Sequence, residues 1–434
     1  MDLNLAHKII EKTKKLGAHE VFVQLTKAIK SSYDYRNCEL ENVLQSTENE
    51  LRLDIYIDNK FSSNTTSNLN EATIDLFIKN SIEGTRFLAP DEFRSLPEPE
   101  LYPKAIQDLK LYDSQIEALD IAAKKSMALK INEAAHSKDN KILSSVGSLN
   151  DYLFSTTKAS SNGFSGTNKR SYITLNSEVT VKDGEFRPEG YYYNQCTRLI
   201  DCEPTEIIGS EAYHKAIQKC GQSKISSGKY PAVFEHSAMR RMLSMLMSAI
   251  SGRAIQQKQS YLADMINTKI ASDKLSIIDN PFVIHGHGSR NYDDRGIAAK
   301  KMTVVEKGIL QNYYIDLYYG RKMNCAPTAS STSNLIFETG EKTKDEMIAS
   351  VPEGILIRGI LGGNNNTISG DFSFGVHGAL IKNGEIVQPI NEMNITGNAK
   401  EFWNQLVEIA NDPYTHSAWK IPTMLFDSIN FSGN

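Results

Sequence analysis

Apolar and polar positions follow two rhythms along this chain. Leu5, Ile9, Thr13 and Leu16 recur at the spacing of one helix face, and Gly17 closes the pattern as a C-cap. Glu20 to Thr26 changes to period two through Val21, Val23 and Leu25, and Leu51 to Ile57 does the same, so both read as strands. Asn70 reads as an N-cap with Leu69 and Ile74 placed to pack across it, and Ile74, Ile78 and Ile82 mark a helix over 71–86. Residues 89–104 hold four of the chain's 13 prolines, which predicts a linker or an extended crossing segment. Ser114 and Glu117 have capping-box spacing ahead of a helix face made by Leu119, Ala123 and Met127.

From Lys141 to Cys196 strand-type alternation is broken by Asn162-Gly163 and Asp183-Gly184, the signature of hairpin turns. Pro204 and Gly221 bracket a further helix. The turn-rich run Ser226 to Pro231 predicts a division into domains 1–225 and 226–434, with the 89–104 linker inside the first. Beyond it the pattern predicts a helix over 237–250 stopped by Gly252. It predicts a hairpin of Thr303–Val305 with Ile309–Ile315 and another of Val376–Ile381 with Glu385–Ile390 across Asn383-Gly384. A helix is expected over Glu401–Ala410. The fold class is α+β, a two-domain chain with mostly antiparallel sheets.

Composition narrows the function classes. With 40% apolar and 23% charged residues the chain is neither disordered nor a membrane bundle. Its most apolar helical run, Met242 to Ile250, is too short to cross a bilayer. Lys and Arg number 48 against 52 Asp and Glu, so nucleic acid is not the expected ligand. The five cysteines form no CxxC and suggest reduced thiols in a cytoplasmic protein. An early Asp2 and the lack of a long apolar run argue against a secretory signal at the start.

Candidate chemistry is sparse, and no catalytic residue is assigned. A helix-borne zinc site needs two histidines one turn apart and a glutamate to activate water. In Phe234-Glu235-His236-Ser237-Ala238-Met239-Arg240-Arg241 only His236 is present, and Arg240 and Arg241 stand where a second histidine would fall. A guanidinium keeps its proton and repels a cation, so a structural or partner-contacting helix is the expectation. His285 and His287 would share a face if they lay on a strand, but two histidines without a third ligand fit a glycine-flanked loop better. Gly359 to Gly378 carries six glycines with no phosphate-loop Lys-Ser or Lys-Thr step. Two readings stand for it. It is a bulge- and turn-rich region, or it is an edge that meets a peptide backbone, with Gly362, Gly363, Gly375 and His377 as the candidates. The basic residues Arg290, Arg295, Lys300 and Lys301 are interleaved with Asp293 and Asp294, as on a solvated face.

Several segments together resemble one family. They are Ala249-Ile250-Ser251-Gly252, Asp293-Asp294-Arg295-Gly296-Ile297-Ala298, Lys382-Asn383-Gly384-Glu385-Ile386, Pro389 to Asn398 and Ile429-Asn430-Phe431-Ser432-Gly433-Asn434, with Leu40-Glu41-Asn42-Val43 in the first half. Their order and spacing resemble the TldD/PmbA family, long labelled modulators of DNA gyrase, over nearly the whole chain. The resemblance implies that family's fold and a cytosolic two-subunit metallopeptidase acting on unfolded peptides. In it, one subunit carries a His-Glu-x-x-x-His zinc helix and the other, of PmbA or TldE type, lacks it. With His236, Ser237, Arg240 and Arg241 at the matching helix, this chain resembles the second type. The implied partners are a TldD-like sister chain that holds the zinc, a second copy of itself when alone, and an extended peptide; no cofactor is expected in this chain. An adaptor role without peptidase function is the alternative, and an enzyme built on His285 and His287 is a third.

Overall fold

The computed structural model describes residues 2–136 and 139–433; Met1 and Asn434, which open and close segments noted above, lie outside the described residues. The chain forms two compact units. One holds Met1–Val179, Tyr191–Ala212 and Phe282–Ala299, the other Thr180–Gly190, Tyr213–Pro281 and Lys300–Asn434. The expected cut between 225 and 226 lies inside the second unit, and Phe282–Ala299 returns to the first.

The first unit is built on α1 (Leu3–Lys15), β1 (Glu20–Arg36), β2 (Glu39–Ile57), β3 (Lys60–Thr66), α2 (Glu71–Arg86), α3 (Ser114–Ala118), α4 (Ile121–His136), β4 (Ile142–Ser160), β5 (Ser165–Val181) and β6 (Glu189–Cys196). The strands form one sheet in the order β3-β2-β1-β4-β5-β6. Its odd-numbered β1 residues Val21, Val23 and Leu25 pack with Ile9, Ile10, Ile74, Ile78 and Ile82 from α1 and α2, as the two rhythms predict. Asp2 caps α1 by accepting from the Asn4 N–H at 2.8 Å, and Gly17 ends it with φ +105°. Asn70 occupies the N-cap position of α2 but its side chain makes no capping bond.

Three expectations are corrected here. Asp113, not Ser114, caps α3, accepting from the Gln115 N–H at 2.9 Å. The helix then breaks, and Asp120 restarts it as α4 by accepting from the Ala123 N–H at 2.7 Å. Short acidic side chains bind backbone donors locally, so they favour a break over continuation. The face of α4 that is buried is therefore Lys124, Ala128, Ile131, Asn132 and Ala135 rather than Ala123 and Met127. Second, of the two readings of 89–104 the loose linker gives way to a segment that packs across the unit: Leu96 is buried with Phe22, Tyr56 and Phe164, and its N–H donates to Glu20 Oε2 at 2.8 Å. Third, β2 starts at Glu39, twelve residues before the alternating part.

The helix α5 (Thr205–Ile217) begins in the first unit and ends in the second, which continues with β7 (Gly228–Phe234), α6 (His236–Ala249), α7 (Gly252–Gln256), β8 (Ile277–Asp279), β9 (Met302–Glu306), β10 (Ile309–Leu310), α8 (Leu317–Lys322), β11 (Leu335–Phe337) and α9 (Lys344–Ala349). Then follow β12 (Glu353–Asn365), β13 (Asp371–Lys382), β14 (Glu385–Asn398), α10 (Ala399–Phe402), β15 (Leu406–Ile409), β16 (Trp419–Lys420) and β17 (Met424–Ser432). Its sheets have the orders β10-β9-β8-β11-β16 and β14-β13-β12-β7-β17-β15. The Asn383-Gly384 hairpin is present with φ of 52° and 77°, and the β9–β10 hairpin is shorter than expected. Gly252 does not stop a helix. It begins α7 behind the Ser251 cap, and a Cβ there would lie 3.1 Å from Tyr314 O. The helix expected over Glu401–Ala410 is one turn followed by β15, because Phe402 and Trp403 turn into the core and Leu406–Ile409 pairs with β17. Met242, Met245, Leu246 and Met247 of α6 are all interior, so the apolar character of that helix is spent on the core and lends no weight to a dimer.

Charge is also buried in the first unit. Lys124, 8% exposed, places Nζ 2.9 Å from Asp151 Oδ2, and the Ser31 hydroxyl donates to the other carboxylate oxygen of Asp151, which is 2% exposed. Removing one partner strands the other. Lys124→Ala is expected to cost about 3–5 kcal/mol, read as a fall in the urea midpoint of the unfolding step of this unit. Lys124→Met combined with Asp151→Leu should cost clearly less; equal losses in both variants would remove the pair as the cause.

Candidate functional site

The α6 helix begins where β7 ends. Beyond Phe234 the chain leaves the sheet, the Glu235 N–H donates to Ile357 O at 3.0 Å, and Ser237 Oγ donates to Arg358 O at 2.5 Å. The start of the helix is thereby fastened to the side of β12. Glu235 is bound by Lys344 Nζ at 3.3 Å. The His236 ring stacks on Tyr414 with centroids 4.3 Å apart and planes 2° from parallel.

Arg240 and Arg241 point to different neighbours. The Arg240 guanidinium lies 5.2 Å over Trp419, and that of Arg241 lies 5.2 Å over Phe374 and 3.4 Å from Asn365 Oδ1. Both cations are thus engaged with ring faces, where a cation is attracted by the quadrupole. Among the described residues no three His, Cys, Asp or Glu side chains stand together so as to hold a metal ion. The donor set around His236, with a hydroxyl at 237 and a guanidinium at 241, does not fit zinc, which takes four close N, S or O ligands.

The glycine-rich pair of strands carries the other candidates. β12 is paired with β13 along its length, but β7 pairs only with Ile355–Ile357. Residues 358–365 therefore present their other side without a neighbouring strand among the described residues. Register shifts at 357/359, 360/362 and 376/378 show bulges in this ladder. The candidate glycines separate into two kinds. A Cβ at Gly363, which has φ +122°, would lie 2.1 Å from Ser373 O, so it serves close backbone approach. Gly362 has nothing within 4 Å of that position, and its register partner Gly375 meets nothing closer than 3.7 Å. These two make a bare patch of backbone beside Leu361, which is 59% exposed. His377 lies across Gly359, whose Cβ would come within 2.4 Å of its Nε2.

His236 and His377 are both held neutral. Burial is the first cause in each case and pushes both rings down to about 4; Lys215 adds to it at His236, and Lys219, Arg358 and Lys215 at His377. Glu235 and Asp412 act in the opposite sense at His236, Lys344 in the same sense. Burial also lowers Arg358, which faces Glu235.

His285 and His287 belong to the first unit and to a loop, not a strand. His285 has φ +57° and places Nδ1 2.8 Å from Lys110 O, whereas His287 Nε2 lies 2.8 Å from Gln195 O. Each ring holds a different stretch of backbone. Arg295 of the nearby basic group pairs with Asp54 and lies 5.3 Å over Phe61. Lys344, Arg358 and Tyr414 were beyond the sequence pattern, since each reaches the site from a distant element with no spacing motif.

The profile of the PmbA/TldA metallopeptidase central domain matches residues 114–219, and that of the C-terminal domain matches 227–433. A protein of Bacteroides thetaiotaomicron described as a modulator of DNA gyrase superposes with a TM-score of 0.97 at 39% identity, covering 99% of this chain and 98% of that one. The chain belongs to the PmbA/TldD family. A relative from Buchnera aphidicola named a metalloprotease PmbA homolog is 28% identical over 443 residues, 100% of this chain and 97% of its own. TldE from Thermococcus kodakarensis has the same fold, with a TM-score of 0.88 at 17% identity over 99% of this chain and 100% of that one. Within this family fold, no helix of the described residues is long and apolar enough to cross a membrane.

The neutral histidines make stability depend on pH. An unfolded histidine takes its proton near pH 6.5, these rings only near 4. Their contribution is complete above about pH 6.5 and is lost as pH falls through about 4. Urea midpoints should decline over that window. His236→Phe, which preserves the stack on Tyr414, should flatten the decline; an unaltered slope would show that this ring is not responsible.

Proposed function

We propose that this chain is the PmbA/TldE-type subunit of a two-subunit cytoplasmic metallopeptidase, and that it holds extended, unfolded peptides rather than cutting them by itself. The observation that carries this is the occupation of the α6 site. Ser237 fastens to β12, and Arg241 lies on Phe374, at the positions where the family's zinc helix has its glutamate and second histidine. The zinc chemistry would then belong to a TldD-like sister chain bearing His-Glu-x-x-x-His. In its absence the chain would pair with a second copy of itself.

The grip on the peptide is assigned to the side of β12 that carries no neighbouring strand over 359–365, beyond the Arg358 carbonyl that Ser237 holds. A strand added there would receive main-chain hydrogen bonds with little demand on side-chain identity, which suits unfolded substrates of varied sequence. Gly362 and Gly375 leave the patch beside it bare, so another backbone can approach without meeting a Cβ. This reading needs neither a membrane nor nucleic acid.

Purified alone and supplied with zinc, the chain should hold no stoichiometric metal by elemental analysis and should leave an unfolded peptide intact. Co-purified with the sister chain it should form an active complex. Gly362→Val and Gly375→Val should fold, because neither position is crowded or has positive φ, yet each should slow peptide turnover by the complex roughly tenfold through the blocked approach. One tight zinc per isolated chain with chelator-sensitive cleavage would defeat the subunit assignment. Full turnover in both folded glycine variants would defeat the edge.

A further inference from the structure

The open edge of β12 is closed at one end. β7 pairs with Ile355–Ile357, the Glu235 N–H donates to Ile357 O at 3.0 Å, and Ser237 Oγ donates to Arg358 O at 2.5 Å. The carbonyls of 357 and 358 are thereby taken. A strand added along 359–365 has no main-chain partner beyond Gly359 and meets the start of α6 at Arg358. The length left to it is about 23 Å at the rise of an extended chain.

Arg358 is the extra residue of a bulge. Ile357 pairs with Gly378 and Gly359 with His377, so β12 spends one residue more than β13 at this point, and a residue so placed is re-aimed out of the strand alternation. Its side chain is half-buried, and its guanidinium forms no hydrogen bond or ion pair among the described residues. Glu235 is the carboxylate that acts on it, and Lys344 Nζ already binds Glu235 at 3.3 Å, so two cations share one negative charge. Lys219, which donates to Glu189 O at 2.5 Å, is committed elsewhere and adds nothing to this balance. Burial holds Arg358 below the ordinary guanidinium range, as expected of a cation taken from water without full compensation. His377, opposite Gly359, lies in the field of Arg358 as a neutral ring without a hydrogen-bond partner among the described residues. A neutral imidazole keeps one N–H to donate.

We propose that Arg358 receives the carboxylate at the C-terminal end of a peptide that lies antiparallel to β12 along 359–365, with the His377 N–H as a second donor. This rests on the peptide-holding role of β12 and narrows its substrates to chains with an unblocked carboxyl end. The edge stops where the cation stands, so what reaches Arg358 is the end of a chain. A peptide running the other way would bring its terminal ammonium against a guanidinium. An acidic side chain in mid-peptide would oblige the backbone to continue past Gly359, where the carbonyls are taken by Glu235 and Ser237. The planar fork of a guanidinium matches the two oxygens of a carboxylate, and one such charge restores the balance that Lys344 and Arg358 leave open over Glu235.

Fluorescence anisotropy of the full chain tests this with one short unfolded peptide that lacks Asp and Glu, labelled at its N-terminus and made in carboxylate and C-terminal amide forms. The amide should bind about tenfold more weakly. Arg358→Gln should bring the carboxylate form down about tenfold to the level of the amide, and leave the amide unchanged. Arg358→Lys, which keeps the charge and loses the fork, should fold as the wild type and fall between them. Equal affinity for the two forms, with Gly362→Val weakening both, leaves the edge standing and overturns the carboxylate assignment. An amide penalty that persists in Arg358→Gln overturns it too. So does an amidated peptide with one interior Glu that binds as tightly as the carboxylate form, because the site would then read an acidic side chain. Absence of binding by both forms removes the edge, and this inference with it.

Discussion

Close approach of β12 and β13 is the constraint on which the candidate site rests. A Cβ at Gly378 would lie 1.8 Å from Leu356 O, and one at Gly363 would lie 2.1 Å from Ser373 O. Only glycine admits such contacts. The bulges that accompany them shift the register twice between β12 and β13 and twice between β13 and β14, and each shift re-aims the residues that follow. On β13 the outcome is a strict sorting. Phe374, Val376 and Leu380 enter the main core, Ala379 and Ile381 join the smaller cluster with Met347 and Ile348, and His377 is left over Gly359 within the field of Lys219, Arg358 and Lys215.

Much of the fold was legible because its signals are local. The 71–86 helix matches residue for residue, since three isoleucines at one-turn spacing need no tertiary help to be recognised. The Asn383-Gly384 turn is equally plain, because positive φ at both positions admits few other residues. The failures share a cause. Leu406 and Ile409 fit a helix period, and only pairing with β17 makes them a strand. The Glu39–Glu50 part of β2 is wet on both faces, so it shows no alternation although it pairs throughout with β1. Gly252 looks like a stop because the backbone of Tyr314 and Ile315, which a Cβ there would crowd at 3.1 Å, is some sixty residues away in sequence.

At the α6 helix the sequence shows the occupants and not their partners. Arg240 and Arg241 at helix positions that zinc would need are visible in the sequence, but their engagement with Trp419 and Phe374 is not, because those rings arrive from β16 and β13. The glycine candidates were found as a group and could not be sorted. Crowding separates Gly363 from Gly362, and crowding is a property of the neighbouring strand. The histidine pair at 285 and 287 lies in the glycine-flanked loop that the sequence favoured, and the two rings hold separate stretches of backbone, with the chain left-handed at His285.

The stacking of Arg240 on Trp419 has an optical consequence. The chain has two tryptophans, and Trp403 is 1% exposed in the core, where nothing short of unfolding changes its surroundings. Trp419 is only half-buried, carries a guanidinium over its face and donates its indole N–H to Thr332 Oγ1 at 3.1 Å. Emission from this protein therefore divides into a constant background and a component set by the first turns of α6 and the strand that faces them. An event that moves Arg240 off the ring registers in that second component alone, so the native chain reports on the helix at the heart of its family without any label.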